Sequence, residues 1–335
     1  MNLIASASTL NSTLETWFIQ HQLLNGDPYH IKENLQFPFN HEVYAYLELF
    51  EIDVNFIQQL VNKNHPVVLI HLGDEFGKKN KSAYPLCNLI LRSYFFSDLF
   101  SQPDLKDQLL WIPNGFRTGV GPRLAGHLLP APQRTHLASF MGWIHNPDSF
   151  QGERDSFLRM LKTIRKSKNQ RFWIFEQWLN KRRHPSRERH VFSQMALDSK
   201  DLYLLSTSGF GGGNQVGLYS AILENSIFAP CPAGNSPETI RLYDALECGC
   251  IPISLSHEFI HSPLALGRFG TPPFPLLSSW DELPSFLMTQ KQRFREDPDA
   301  VKALQAKCIA WWSHYKREMA ALIHAKFSTL MPKQN

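Results

Sequence analysis

Long hydrophobic runs are missing from this chain of 335 residues: none approaches the ~18–20 consecutive apolar residues of a membrane span. The opening stretch, MNLIASASTLNSTLETW, has neither a basic segment nor a continuous apolar core after it, so no secretory leader is read there. Cysteine is scarce and odd in number, with Cys87, Cys231, Cys248, Cys250 and Cys308 as the five, which argues against a disulfide framework. Cys248-x-Cys250 lacks a second ligand pair, so no metal is expected there, and reduced, mostly buried thiols in a cytoplasmic compartment are expected instead. Strong charge of one sign is also absent: the formal net charge is +4, and only the run from Lys162 to Arg189 concentrates it. No nucleic-acid motif accompanies that run, and Trp173, Phe175 and Trp178 interrupt it. It reads as a solvated face, or one attracted to an anionic glycan or a membrane surface, and no nucleic-acid partner is expected. A dinucleotide fingerprint is missing too, because in Gly209-Phe210-Gly211-Gly212-Gly213-Asn214 the third glycine fails.

What is present is the composition of a globular protein, 43% apolar and 19% charged, long enough for two domains. Residues 1 to about 60 read as helical, including Glu42 to Phe50. Pro66 to Leu72 reads as a buried strand ending in Gly73-Asp74-Glu75, and Ser93–Phe96 and Leu109–Pro113 as two more strands. Ligands of open α/β sheets gather at the carboxyl ends of strands, which places His71, Asp74 and Glu75 well for chemistry. Asn114 to Gly119 reads as a loop whose Arg117 faces an anionic group or merely a turn. The Pro/Gly/Leu-rich segment Gly121 to Arg134 marks a linker, giving domains at 1–130 and 131–290 followed by C-terminal helices over 291–335. Beyond the linker come a strand ending near Gly142, a His145-Asn146-Pro147 loop, a helix from about Gly152 to Lys166 carrying Arg154, and a strand over 201–207. Asp299 to Lys326 is amphipathic, with Ala303, Ile309, Trp311, Trp312, Tyr315 and Leu322 as its apolar positions.

The densest pattern is Ile227 to Leu255, IFAPCPAGNSPETIRLYDALECGCIPISL. A strand gives way to a Pro/Gly/Asn loop, then to a helix start at Ser236-Pro237-Glu238, with serine as cap and proline in the first turn. Leu242, Tyr243 and Leu246 fall on one face and Glu238, Arg241 and Asp244 on a polar stripe, before Gly249 stops the helix and Ile251–Leu255 forms a strand. Open amide groups and an arginine one turn in suit a phosphate.

The residues Ser226, Phe228, Pro232, Gly234, Ser236, Pro237, Arg241, Leu242, Tyr243, Asp244, Ala245, Leu246, Gly249, Cys250, Ile251 and Pro252 spell S-x-F-x-x-x-P-x-G-x-S/T-P-x-x-x-R-L-Y/F-D/E-A-L-x-x-G-C-I-P. This resembles the signature of exostosin-type glycosyltransferases. The resemblance implies a GT-B fold, two Rossmann-like domains facing each other across a cleft, and transfer of a sugar from a nucleotide donor, a UDP-sugar, to a glycan acceptor with inversion. It places Arg241 against the donor diphosphate, with the Ser236–Thr239 start beside it, and Asp244 against the ribose hydroxyls. Strand 137–143 and the helix after it resemble the F-x-G…R-x-x-L opening of the family's nucleotide-binding half, so Gly142 admits the donor and Arg154 meets a phosphate. An inverting transferase needs a base for the acceptor hydroxyl, and Asp74 is the first candidate, Glu75 the second. No D-x-D pair like that of GT-A enzymes is read, so no metal and no other cofactor are expected. Animal exostosins are membrane-anchored at the N-terminus, and the missing span is a departure that suits a bacterial enzyme or a catalytic fragment.

Three other readings stand beside this one. A fucosyltransferase-like GT-B enzyme would use a GDP-sugar, but its Glu-Lys pattern is not that of Arg241 and Asp244. A non-catalytic glycan-binding protein on the same fold would have no turnover. His257-Glu258-Phe259-Ile260-His261 has the form H-E-x-x-H, but it follows a strand and is closed by Ser262-Pro263, which opposes the long helix that a zinc site needs.

Overall fold

A computed structural model describes residues 2–24, 26, 28–35, 43–142, 150–166, 189–190, 202–206 and 216–330. The chain sorts into two compact units, Met1–Thr118 with Glu258–Pro272 and Ser313–Asn335, and Gly119–His257 with Pro273–Trp312. The units thus divide at 118/119 rather than 130/131, and the C-terminal segment expected from residue 291 is shared between them at 312/313.

The first unit is built on a six-stranded, all-parallel sheet in the order β2-β1-β3-β4-β5-β6. Its strands are β1 (Asn2–Ala5), β2 (Tyr29–Ile31), β3 (Tyr44–Glu48), β4 (Val67–His71), β5 (Leu89–Arg92) and β6 (Leu109–Trp111). Helices α1 (Ala7–Ser12), α2 (Val54–Val61) and α3 (Ser97–Phe100) belong to it. Parallel strands are covered on both faces and read as continuous apolar runs, as Val67-Val68-Leu69-Ile70 does with no exposed surface. Two expectations fail here. The first 60 residues are not helical throughout: Tyr44–Glu48, expected as helix, is a strand buried at every position. Tyr-Ala-Tyr-Leu is too short a run for period to separate a buried strand from a helix. The strand expected at Ser93–Phe96 lies one element earlier, at Leu89–Arg92, and the chain after it turns through Tyr94, at φ 62°.

The second unit carries β7 (His136–Gly142), β8 (Arg189–His190), β9 (Leu202–Ser206), β10 (Ser226–Pro230), β11 (Ile251–Leu255) and β12 (Leu276–Leu277). They form one sheet in the order β12-β11-β10-β7-β9-β8, parallel except where β8 meets β9. Its helices are α4 (Glu153–Lys166), α5 (Val216–Glu224), α6 (Ile240–Glu247) and α8 (Leu283–Glu296), while the single-turn α7 (Glu258–His261) counts with the first unit. Helix α9 (Pro298–Leu330) gives its residues up to Trp312 to the second unit and the rest to the first. Its buried stripe is Val301, Gln305, Cys308, Trp312, Tyr315, Met319, Ile323 and Phe327, so the stripe expected through Ala303 and Ile309 is displaced, and Ala303 is exposed. Gln305 explains part of the shift: it accepts from the Ala131 amide at 2.7 Å and donates to the Gly249 carbonyl at 2.9 Å, an inward polar position that hydrophobic spacing overlooks. The 145–147 loop, most of the basic run and the 209–214 glycine loop lie outside the described residues.

Candidate functional site

In the second sheet β7 is central, with β9 on one side and β10 on the other, so the strand order reverses between β7 and β10. Open α/β sheets bind ligands outside the carboxyl ends of strands at such a reversal. Gly142 ends β7 there, and Pro230 ends β10 and leads into the Cys231–Thr239 loop.

Two arginines converge on one aromatic ring at this point. The Arg241 guanidinium carbon lies 4.3 Å from the centre of the Phe140 ring, and that of Arg154 lies 5.4 Å from the same centre. Tyr219 flanks Arg241 at 5.6 Å. Both arginines are buried, at 8% and 6% exposure. Arg154 donates from Nε to the Ala233 carbonyl at 2.6 Å, while the Ala233 amide donates to Glu153 Oε1 at 2.8 Å. Consecutive side chains at the start of α4 thus hold both backbone groups of Ala233. Glu153 Oε1 also accepts from Trp280 Nε1 at 2.9 Å, and Oε2 lies 3.1 Å from His257 Nε2 without hydrogen-bond alignment. Burial pulls the Arg154 guanidinium down to about 9, and the like charge of Arg241 adds to the effect. Arg241 Nε has no hydrogen-bond partner among the described residues. A side chain at position 142 would put its Cβ 2.1 Å from Arg241 Nη2, so the glycine is what leaves room for the guanidinium. Two desolvated, mutually repelling cations that share an aromatic face form a site that gains from a polyanion.

The other residues expected to meet a donor surround this pair in different ways. Helix α6 begins at Ile240 rather than at Pro237; Thr239 takes the cap position without a side-chain hydrogen bond. Ser236 Oγ still accepts from the Glu238 amide, at 3.3 Å, and the Thr239 amide reaches the Pro237 carbonyl at 3.0 Å, so Ser236–Thr239 is a turn before the helix. Glu238 is buried and accepts from the Tyr243 hydroxyl at 3.1 Å. Asp244 has no exposed surface, which sets it within the packing of α6. The polar stripe of Glu238, Arg241 and Asp244 is therefore buried.

In the first unit Asp74 and Glu75 follow β4, as the sequence implied, but their surroundings differ. Asp74 is 2% exposed, and its carboxylate accepts from Arg92 Nη2 at 2.9 Å and the Lys79 amide at 3.0 Å, with Lys81 Nζ at 3.3 Å. Burial alone would raise this carboxyl, but the Lys79 amide and the Arg92 and Lys81 charges outweigh it and hold the group at about 2. Glu75 is partly exposed and accepts from the Tyr94 hydroxyl at 3.2 Å. Behind them Arg92 Nη1 lies 2.7 Å from Tyr84 Oη and 3.0 Å from His71 Nδ1, and Tyr84 Oη lies 2.7 Å from that same nitrogen. A guanidinium only donates, so His71 Nδ1 accepts and the ring is neutral.

Burial, with Arg92 next, pushes the His71 ring from 6.5 to about 3. The unfolded chain therefore takes up a proton as pH falls through 6.5, which the folded chain refuses until near 3. Stability is expected to be full above that upper value and to fall below it by up to ~1.4 kcal/mol per pH unit. Asp74, with its lowered pKa, adds a second loss from 3.8 down to about 2. Urea unfolding followed between pH 7.5 and 4 measures the His71 part, and His71→Gln is expected to flatten the slope; equal slopes in the two proteins would refute it.

Sequence reasoning missed the roles of Phe140, Glu153, Tyr219, Arg92 and Tyr84. A carboxylate preceding Arg154 was a visible signal for Glu153; the others needed the fold. The H-E-x-x-H stretch makes one helical turn, Glu258–His261, with His257 outside it at Glu153. One D-x-D triplet does occur, Asp297-Pro298-Asp299, at the junction of α8 and α9, and there Asp297 Oδ1 caps the Ala300 amide at 3.0 Å. Among the described residues no three His, Cys, Asp or Glu side chains gather as a metal site would need, and no helix is long and apolar enough to cross a membrane.

Two α/β units with near-parallel sheets, one bearing two buried arginines at its strand-order reversal, have the make-up of the GT-B class of glycosyltransferases. The exostosin GT47 domain matches residues 64–264, more than half of the chain, and the protein belongs to that family. The RXYLT1 C-terminal domain matches residues 213–329. Among curated relatives, ribitol-5-phosphate xylosyltransferase 1 of Danio rerio is 24% identical over 193 residues, covering 56% of this chain and 36% of its own length. The Homo sapiens protein of the same name is 26% identical over 111 residues, covering 30% of this chain and 24% of its own length. The matches thus span about a third or less of these relatives. A crystal structure of Anabaena HepE in complex with UDP-glucose aligns over 98% of this chain and all of that one, at 10% identity and a TM-score of 0.48, a likeness too distant to argue from.

Proposed function

We propose that the protein is an inverting glycosyltransferase that moves a sugar from a UDP-linked donor to a glycan or polyol acceptor, with the second unit holding the nucleotide diphosphate. Arg241 carries the reading. It is a nine-tenths buried guanidinium whose Nε has no partner among the described residues, stacked on Phe140 and set against a glycine whose missing side chain leaves it room. With Arg154 it faces the place where negative charge grows as the diphosphate departs, the kind of preorganised stabilisation that removes most from a barrier. The two guanidinium groups take the role that a divalent cation has in metal-dependent transferases, so the reaction is proposed to run without added metal. The relatives' name supplies the first substrates to try, a xylosyl donor and ribitol 5-phosphate. The base is drawn from the two carboxylates after β4.

Calorimetric titration of UDP, GDP and CDP in the presence of EDTA tests this. UDP is expected to bind with metal chelated and more tightly than the other two. Preference for GDP would move the assignment to a fucosyltransferase-like enzyme, and binding of none would remove the donor site.

A further inference from the structure

The first sheet has its own strand-order reversal, between β1 and β3, and a short loop after β4 lies one strand over on the same carboxyl edge. That loop, 73–82, is pinned unusually well for a surface connection. Gly73 presses so closely on the preceding chain that an added Cβ would lie 1.6 Å from the Leu49 carbonyl oxygen. Lys79 Nζ donates to the Leu49 and Phe50 carbonyls at 2.7 and 2.8 Å, and Lys81 Nζ to those of Gly77 and Lys79 at 2.7 and 3.0 Å. Asp74, locked by Arg92, anchors the loop from within.

What this anchoring holds outward is chemically distinct. Phe76 is 51% exposed and Phe50 45%, and among the described residues they are the aromatic members of the exposed large hydrophobic set. Lys79 Nζ stands 5.9 Å from the Phe50 ring centre and Lys78 Nζ stands 5.8 Å from that of Phe76. Between them in sequence Glu75 keeps one oxygen on the hydroxyl of Tyr94, a non-glycine residue held at φ 62°. Exposed rings with flanking cations, beside a carboxylate at the carboxyl end of a parallel strand, are a ligand surface rather than an idle loop.

We propose that this loop is the acceptor-binding element: Phe50 and Phe76 pack on the C–H face of a polyol or sugar, Lys78 meets an anionic group on it, and Glu75 takes the proton of its attacking hydroxyl. Asp74 is a positioning residue, because its oxygens are engaged by Arg92, Lys79 and Lys81 and it has almost no surface to offer. This rests on the donor reading above. In the step, the acceptor oxygen forms a bond to the anomeric carbon while the bond from that carbon to the β-phosphate oxygen breaks. UDP leaves with the electron pair, and the hydroxyl proton passes to the Glu75 carboxylate.

The wild type, Glu75→Gln, Asp74→Asn and Phe76→Ala are compared by UDP titration and by turnover of UDP-xylose, with water and with ribitol 5-phosphate as acceptors. UDP affinity is expected to be unchanged in all four. Glu75→Gln is expected to lose about a thousandfold in kcat with either acceptor. Asp74→Asn is expected to melt earlier yet keep kcat within tenfold at temperatures where it is folded. Phe76→Ala is expected to raise KM for ribitol 5-phosphate about tenfold. Glu75→Gln turning over like wild type, Asp74→Asn folded but dead, or a wild type that binds UDP yet turns over with neither acceptor would each overturn the assignment. A wild type that binds no UDP would instead overturn the donor reading, and this one with it.

Discussion

Replacing Arg241 by alanine is expected to weaken UDP binding by about a hundredfold, the loss of two charge-assisted hydrogen bonds of about 1.5 kcal/mol each. The ligand-free protein should not melt lower for it. In the empty site this guanidinium has surrendered most of its hydration, its Nε meets no acceptor among the described residues, and Arg154 repels it. Stacking on Phe140 and Tyr219 offsets part of that cost. Arg241→Met keeps the apolar contact and removes the charge, so it is expected to raise the melting temperature while binding UDP as poorly as the alanine variant. Arg241→Lys is expected to recover little, because a compact ammonium neither forks to two phosphate oxygens nor lies flat on an aromatic ring. Thermal melts alongside the titration decide the matter. A variant that binds UDP normally but melts far lower would make Arg241 part of the scaffold and leave the phosphate without its chief ligand.

The candidate residues of the second unit were more legible than those of the first, for a physical reason. Gly142, Arg154 and Arg241 lie far apart in sequence, yet each sits at an end of a strand or near the start of a helix, and such ends are marked by glycine, proline and polar residues. The β7–α4 and β10–α6 segments could therefore be placed before any coordinates. Partner identity was not legible. That Arg154 and Arg241 share Phe140, or that Glu153 and Arg154 hold both backbone groups of Ala233, depends on side chains that no periodicity reports. Asp74 shows the same limit in sharper form. Asp-Glu after a strand put Asp74 ahead of Glu75 on paper, and what separates their surroundings is Arg92, contributed by the next strand of the sheet. The N-terminal strands escape a sequence reading because β1 and β3 are four and five residues long, below the length at which alternation and helical period diverge.

Gly142→Ala separates site from scaffold most sharply, because it adds one methyl group and is expected to cost binding without costing the fold. The φ of Gly142 lies outside the left-handed region, so alanine brings no backbone strain. The added Cβ meets Arg241 Nη2 at 2.1 Å, and the next nearest atoms are Cζ of the same side chain at 3.3 Å and the rim of Phe140 at 3.6 Å. The atom in conflict is the tip of a long, flexible chain, which swings aside for little energy, so stability is expected to stay within about 1 kcal/mol of wild type. The guanidinium no longer holds the angle that aims its fork, and UDP affinity is expected to fall at least tenfold, since small displacements at a preorganised site are felt strongly. The effect should vanish in an Arg241→Ala background: once the arginine is gone, the methyl group has nothing to displace, and the double variant should bind UDP no worse than Arg241→Ala alone. A double-mutant cycle measured by titration therefore reads the contact directly. Additive losses would mean that Gly142 acts on the nucleotide by close backbone approach rather than through Arg241, and the glycine would then be a donor contact in its own right.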